Sequence, residues 1–194
     1  PSFPAKSLQE LIDIAKKEPN KYNVAIDGPR NLSGVIVRIL KAKAGIDVVE
    51  VPYTNIPASL QDVVSGRLPI GMFSLSVAEG QIRGGTLKVI AGASAGGISS
   101  MPAVEPIAKT FPGFDYLGWF MIMAPAGTPE PIVNEMHRAI SVVLKDPAMI
   151  AAAPKLGFDL DPKGVGSRAD AAAFLKRQLD LWNVTTKQLG LLPE

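Results

Sequence analysis

Residues 22–45, YNVAIDGPRNLSGVIVRILKAKAG, set a short apolar run, a polar turn and a longer apolar periodic segment in direct succession. Tyr22–Ile26 suits a short strand. Asp27–Ser33 carries the Gly, Pro and Asn of a loop, and Val35–Ala44 repeats apolar residues at helical spacing until Gly45 ends the pattern. A strand, a polar turn and a helix of this size form half of a βαβ unit.

The same order recurs on either side. Upstream, Ser7-Leu8-Gln9-Glu10 has the spacing of a capping box, and Leu8, Leu11, Ile12 and Ala15 follow on one helical face until Pro19. Downstream, expected strands at Val48–Val51, Ile70–Phe73 and Leu87–Ala91 alternate with helices at Ala58–Ser65 and Ser76–Arg83, closed by Gly66 and Gly84-Gly85. This alternation argues for an α/β fold, a parallel sheet covered by helices on both faces. Gly92–Pro112 is rich in small residues and prolines and reads as a crossover. Tyr116–Met123 is apolar on consecutive residues, the pattern of a strand buried on both faces. Helices are expected at Pro129–Leu144 and Pro147–Leu156, a short strand at Phe158–Leu160, and a final helix from the cap Ser167-Arg168-Ala169-Asp170 to about Leu189.

Composition narrows the function. The 194 residues are 47% hydrophobic, ample for a buried core. Charged residues of both signs are mixed to a net charge of +2, so the basic stripe of a nucleic-acid surface is missing. With no cysteine and one histidine, neither disulfides nor a thiolate or imidazole metal site is expected, and no cofactor is called for. No apolar run reaches the roughly 18 residues of a spanning helix, and the opening Pro1-Ser2-Phe3-Pro4 lacks the pattern of a signal peptide. GxGxxG follows no strand, and no spacing suggests an acid, base and nucleophile set, so an enzyme is not expected.

The segments Val51-Pro52-Tyr53, Phe111-Pro112-Gly113-Phe114, Gly118-Trp119-Phe120 and Ala124-Pro125-Ala126-Gly127-Thr128-Pro129 resemble, in order and spacing, the extracytoplasmic solute receptors of tripartite tricarboxylate transporters, the Bug family. The likeness takes in Ser94, Met101-Pro102-Ala103-Val104, the helix from Pro131, Asp146-Pro147 and the closing Gly190-Leu191-Leu192-Pro193-Glu194, so it covers essentially the whole chain. It implies a type II periplasmic binding protein-like fold, with parallel-rich sheets flanked by helices in two domains. It also implies a periplasmic protein that captures a small carboxylate and hands it to membrane transporter subunits. Family members begin earlier, so the resemblance implies that the N-terminal third is absent and the first domain incomplete. Residues 1–97 would be the ligand-binding second domain, 98–110 the crossover and 111–194 the returning part of the first domain. A homodimer covering the incomplete domain is the partner to test, and a truncated homologue acting as an interaction module is the alternative function.

Three loops are the candidate site, each at the carboxyl end of an expected strand, where open α/β sheets bind ligands. The first holds Asp27, Gly28, Arg30, Asn31 and Ser33; its helix N-terminus favours an anion by about 0.3–1 kcal/mol, and Arg30 offers a planar fork for a carboxylate. The second holds Tyr53, Thr54 and Asn55, and the third Ser74 and Ser76. Ordinary capped-loop chemistry with a solvated Arg30 is the competing reading. The sequence departs from the family pattern in these loops: Gly28-Pro29-Arg30-Asn31 replaces Gly-x-Gly-Ser, Gly34 stands where a His is usual, and Pro69 where an Asp is usual. Trp119 and Trp182 read as core residues and His137 as a solvated one.

Overall fold

The computed structural model describes residues 3–158, 160 and 166–191. The chain divides into two compact units, Pro1–Gly118 and Trp119–Glu194.

In the first unit, α1 (Leu8–Lys17) starts at Ser7, whose hydroxyl accepts the Glu10 N–H at 3.2 Å, while Glu10 Oε2 accepts the Lys6 N–H at 2.7 Å. Its Leu8, Leu11, Ile12 and Ala15 are buried, as the spacing predicts. Strands β1 (Asn23–Ile26), β2 (Val49–Pro52) and β3 (Ile70–Gly71) form one parallel sheet in the order β2-β1-β3. Asn23 pairs with Val49 and Val24 with Ile70. β1 is central, and its consecutive Val24, Ala25 and Ile26 are all buried because helices cover both faces. Right-handed crossovers place α2 (Leu32–Ala44) on one face, and α3 (Ile56–Val64) and α4 (Leu75–Arg83), which touch each other, on the opposite one. α2 stops where Gly45 turns left-handed at φ 61° and returns its N–H to the Lys41 carbonyl. Val51, Tyr53, Phe73 and Leu87 pack against a core of Ala25, Val63 and Leu68.

Two expected strands are not formed. Leu87–Ala91 joins no ladder; Leu87 packs its side chain on the core, and a single bridge pairs Gly92 with Pro106. The two residues of β3 offer too short an edge to template a fourth strand. Tyr116–Met123, expected to be buried on both faces, joins no ladder and is largely exposed: the Tyr116 N–H reaches the Ala93 carbonyl at 3.1 Å, but Phe120 is 88% exposed and Ile122 73%. Burial on both faces requires neighbouring strands, and none lies beside this segment among the described residues.

The second unit is helical. Helix α5 (Glu130–Val143) follows Pro129, and α6 (Pro147–Ala152) follows Asp146, whose Oδ1 accepts the Ala148 N–H at 2.7 Å; a 3₁₀ turn, Ala153–Leu156, continues α6. α7 (Arg168–Gln188) begins with the expected box: Ser167 accepts from the Asp170 N–H, and Asp170 accepts from the Ser167 N–H at 2.8 Å. The Ser167 N–H first, and then the Ser167 hydroxyl, which donates to Asp170 Oδ2 at 2.7 Å, hold the Asp170 carboxyl below its usual range. Trp119 meets Phe174 edge-on at 5.4 Å, and Phe120 meets Phe158 at 5.6 Å. Of the expected strand Phe158–Leu160, Asp159 lies outside the described residues, and Phe158 and Leu160 join no ladder.

Candidate functional site

Strand order fixes where a ligand can enter the first unit. β1 leads into α2 on one face of the sheet and β3 into α4 on the other, so these adjacent strands form a switch point, and open α/β sheets bind ligands at the carboxyl ends of such strands. The ladders run on into these loops: the Met72 N–H donates to the Ala25 carbonyl at 3.0 Å and the Tyr53 N–H to the Ile26 carbonyl at 2.9 Å. The loop after β1, at 27–31, and the loop after β3, at 72–74, therefore start side by side, each running into the first turn of a helix. The loop after β2 stands on the outer side of β1.

Sequence and packing shape the first loop together. Ser33 is buried; its hydroxyl accepts the Asp27 N–H at 2.9 Å and donates to Asp27 Oδ1, closing a ring between strand end and helix start. The Asn31 amide donates to the Asp27 carbonyl at 2.9 Å, and the Asn31 N–H to the Gly28 carbonyl at 3.2 Å. Asn31 is the N-cap of α2 but makes no side-chain cap, so the first-turn N–H groups ahead of Val35 have no partner from it. Gly28 has φ 150°, which glycine alone adopts without strain. Gly34 answers to close approach: a Cβ there would lie 2.2 Å from the Gly28 carbonyl oxygen. The histidine usual in the family pattern has no room against this loop. Arg30 is exposed and has no hydrogen bond or ion pair among the described residues, and Asp27 has no ion pair among them.

The other two loops are more committed to the fold. Tyr53 lays its ring on the core and donates its hydroxyl to Asp62 Oδ2 at 2.6 Å, and Arg67 holds Oδ1 of the same carboxylate at 2.6 Å. The bond to Asp62 raises the Tyr53 pKa. Tyr53 thus braces its loop through Asp62 and Arg67, two residues the sequence reading did not single out; the visible signal was an acid on α3 between the apolar Leu60 and Val63. Asn55 caps α3 by accepting the Ala58 N–H at 3.0 Å, which leaves its amide NH₂ for other partners. Thr54 is exposed beside it. Ser74 is the N-cap of α4 without a side-chain cap bond, and its hydroxyl lies 3.1 Å from that of Ser76; both serines are exposed.

An open groove lined by Lys16, Arg38, Lys41 and Asp47 lies at the amino ends of the strands, away from these loops. Two of its cations are tied internally: Arg38 pairs with Glu50 at 3.0 Å, and Lys41 bonds the Val48 carbonyl at 2.9 Å. It has the character of a structural ion network. Among the described residues no group of three His, Cys, Asp or Glu side chains is placed to hold a metal, and no helix is long and apolar enough to cross a membrane.

A parallel sheet with a switch point belongs to many families, and comparison with known proteins narrows the choice. The model of the tripartite tricarboxylate transporter family receptor matches residues 1–191. The chain belongs to this family. A UPF0065 protein of Bordetella bronchiseptica is 29% identical over 173 residues, which are 89% of this chain and 50% of that relative. Among solved structures, R. palustris Rpa4515 with adipate superposes with a TM-score of 0.87 at 22% identity, over 100% of this chain and 64% of the other. MatC from Rhodopseudomonas palustris with bound malate gives 0.77 at 24% identity, over 95% and 63%. The chain thus spans about half the length of that curated relative and less than two thirds of these two structures. The tricarboxylate-receptor fold accounts for the parallel sheet flanked by helices. The adipate and malate structures supply the fold and not the ligand contacts, because they are under 25% identical.

Proposed function

We propose that this chain carries the solute-binding face of a periplasmic receptor, which captures a small carboxylated organic acid, a dicarboxylate or aromatic carboxylate, for a tripartite tricarboxylate-type transporter and does not turn it over. The observation that carries this reading is the β2-β1-β3 order, which sets the polar loops after β1 and β3 side by side at the carboxyl ends of the strands in a chain of the receptor family. Arg30 supplies an uncommitted guanidinium, the first turn of α2 supplies N–H groups, and Ser74 and Ser76 supply hydroxyls. Adipate and malate in two structural neighbours support a carboxylate as ligand class.

A thermal-shift screen against mono-, di- and tricarboxylates tests the reading. An acid at 100 times its dissociation constant adds about 2.7 kcal/mol to stability, and Arg30→Ala should then weaken it by about 1.5–3 kcal/mol. Saturable shifts with no acid would contradict the proposal.

One observation favours a second reading, an interaction or dimerisation module. Phe120, Ile122 and Met123 are 88%, 73% and 62% exposed in one run, an apolar surface that a second chain would cover. Light scattering separates the readings, since a clean monomer that binds an acid supports only the first.

A further inference from the structure

The apolar run that opens the second unit has one covered side and one bare side. From Trp119 to Ile122 the exposure alternates: Trp119 and Met121 are half-buried, with Trp119 edge-on to Phe174 of α7, while Phe120 and Ile122 stand 88% and 73% exposed. A period of two is that of an extended chain presenting successive side chains to opposite sides. Phe158 extends the bare side, its ring 5.6 Å from that of Phe120 and itself 39% exposed, and Met123 ends the run at 62%. No charged residue stands between Asp115 and Glu130.

Size and chemistry together decide what fits such a surface. At about 150–200 Å² for a fully bare side chain of this size, these four side chains expose about 400–500 Å² of apolar area. A stable pair of proteins buries about 800 Å² on each partner, roughly 65% of it apolar where the partners are identical, so the patch supplies most of the apolar share of such a contact. A charged partner is recognised by opposite charge, and this run offers none to it. A second copy asks only that no charge meet itself across the twofold axis.

We propose that the face formed by Phe120, Ile122, Met123 and Phe158 packs on the same face of a second copy of this chain across a twofold axis. This rests on the second reading above, the interaction or dimerisation module, and names its partner and its contact; solute binding at the first unit's loops is independent of it. Because both copies use the same patch, one substitution enters the contact twice, and an acid at position 122 puts two like charges into one apolar interface.

The test is sedimentation equilibrium of the full chain, of Ile122→Asp and of Phe120→Asp from about 1 to about 100 μM, a range that brackets a weak specific pair. Both positions are exposed, so each variant should keep the circular dichroism of the wild type. Wild type should pass from monomer to dimer within this range and stop there, and each variant should raise the dimer dissociation constant by about tenfold or more. Wild-type association that grows past the dimer overturns the closed pair. Association unchanged in both variants overturns the use of this face and leaves dimerisation standing. A monomer at every concentration overturns the pairing and the dimerisation reading with it.

Discussion

The two units are built on opposite terms. Apart from Ala153, every buried apolar residue among those described lies in the first unit, around Val24, Ala25 and Ile26 of a covered strand. The second unit has helices of 14 and 21 residues, yet Ile132, Met136, Val142, Val143, Leu179 and Val184 are each more than half exposed. Local signals therefore sufficed for helices in both units, while a core formed only where a sheet gave the helices something to cover. The candidate site sits on the unit with the core, as a rigid constellation requires.

The sharpest way to break this comparison is to remove equivalent apolar groups from each unit. Ile26→Ala, at a side chain 1% exposed, should cost about 2–5 kcal/mol in urea unfolding. Ile122→Ala, at a side chain 73% exposed, should stay within about 0.5 kcal/mol. Equal losses would mean that the second unit is packed after all. Next in size, Gly34→Ala forces a methyl toward the Gly28 carbonyl oxygen, 2.2 Å from its ideal position, and should destabilise by about 1–3 kcal/mol while displacing the 27–33 loop. A wild-type melting curve for that variant would dismiss the close approach. Ser167→Ala removes the cap of α7 and should cost about 1 kcal/mol of helix stability, read by circular dichroism.

The smallest effect is acid sensitivity of the same cap. Hydrogen bonds depress the Asp170 pKa below its ordinary 3.8, so its contribution is present above that pH and disappears as the pH falls through the lower, folded-state value. An acid titration of wild type should show this loss below about pH 4, and Asp170→Asn should not.

Much of the fold could be read from short signals. Ser7, Asp146 and Ser167 announce helix starts that the structure keeps, Gly45 announces an end, and the consecutive apolar residues of β1 announce a strand covered on both faces. Leu87–Ala91 and Tyr116–Met123 misled for one reason: apolar runs state that a segment wants neighbours but not whether neighbours exist. The three candidate loops were legible as loops, since turn residues after strands mark them. How far the fold itself engages their donors was not. The Tyr53 hydroxyl goes to Asp62, the Asn55 oxygen to Ala58 and the Ser33 hydroxyl to Asp27, and each partner is fixed by tertiary placement. Asp27 and Arg30 emerge as the charges left over.

The most direct test of a site at the first unit's strand-end loops is backbone hydrogen exchange of the full chain, with and without the tightest-binding acid of the panel. Added protection should appear at 27–34 and 72–76 and leave α5 and α7 unchanged. Protection confined to the second unit, or none at the two loops under saturating acid, would contradict the account.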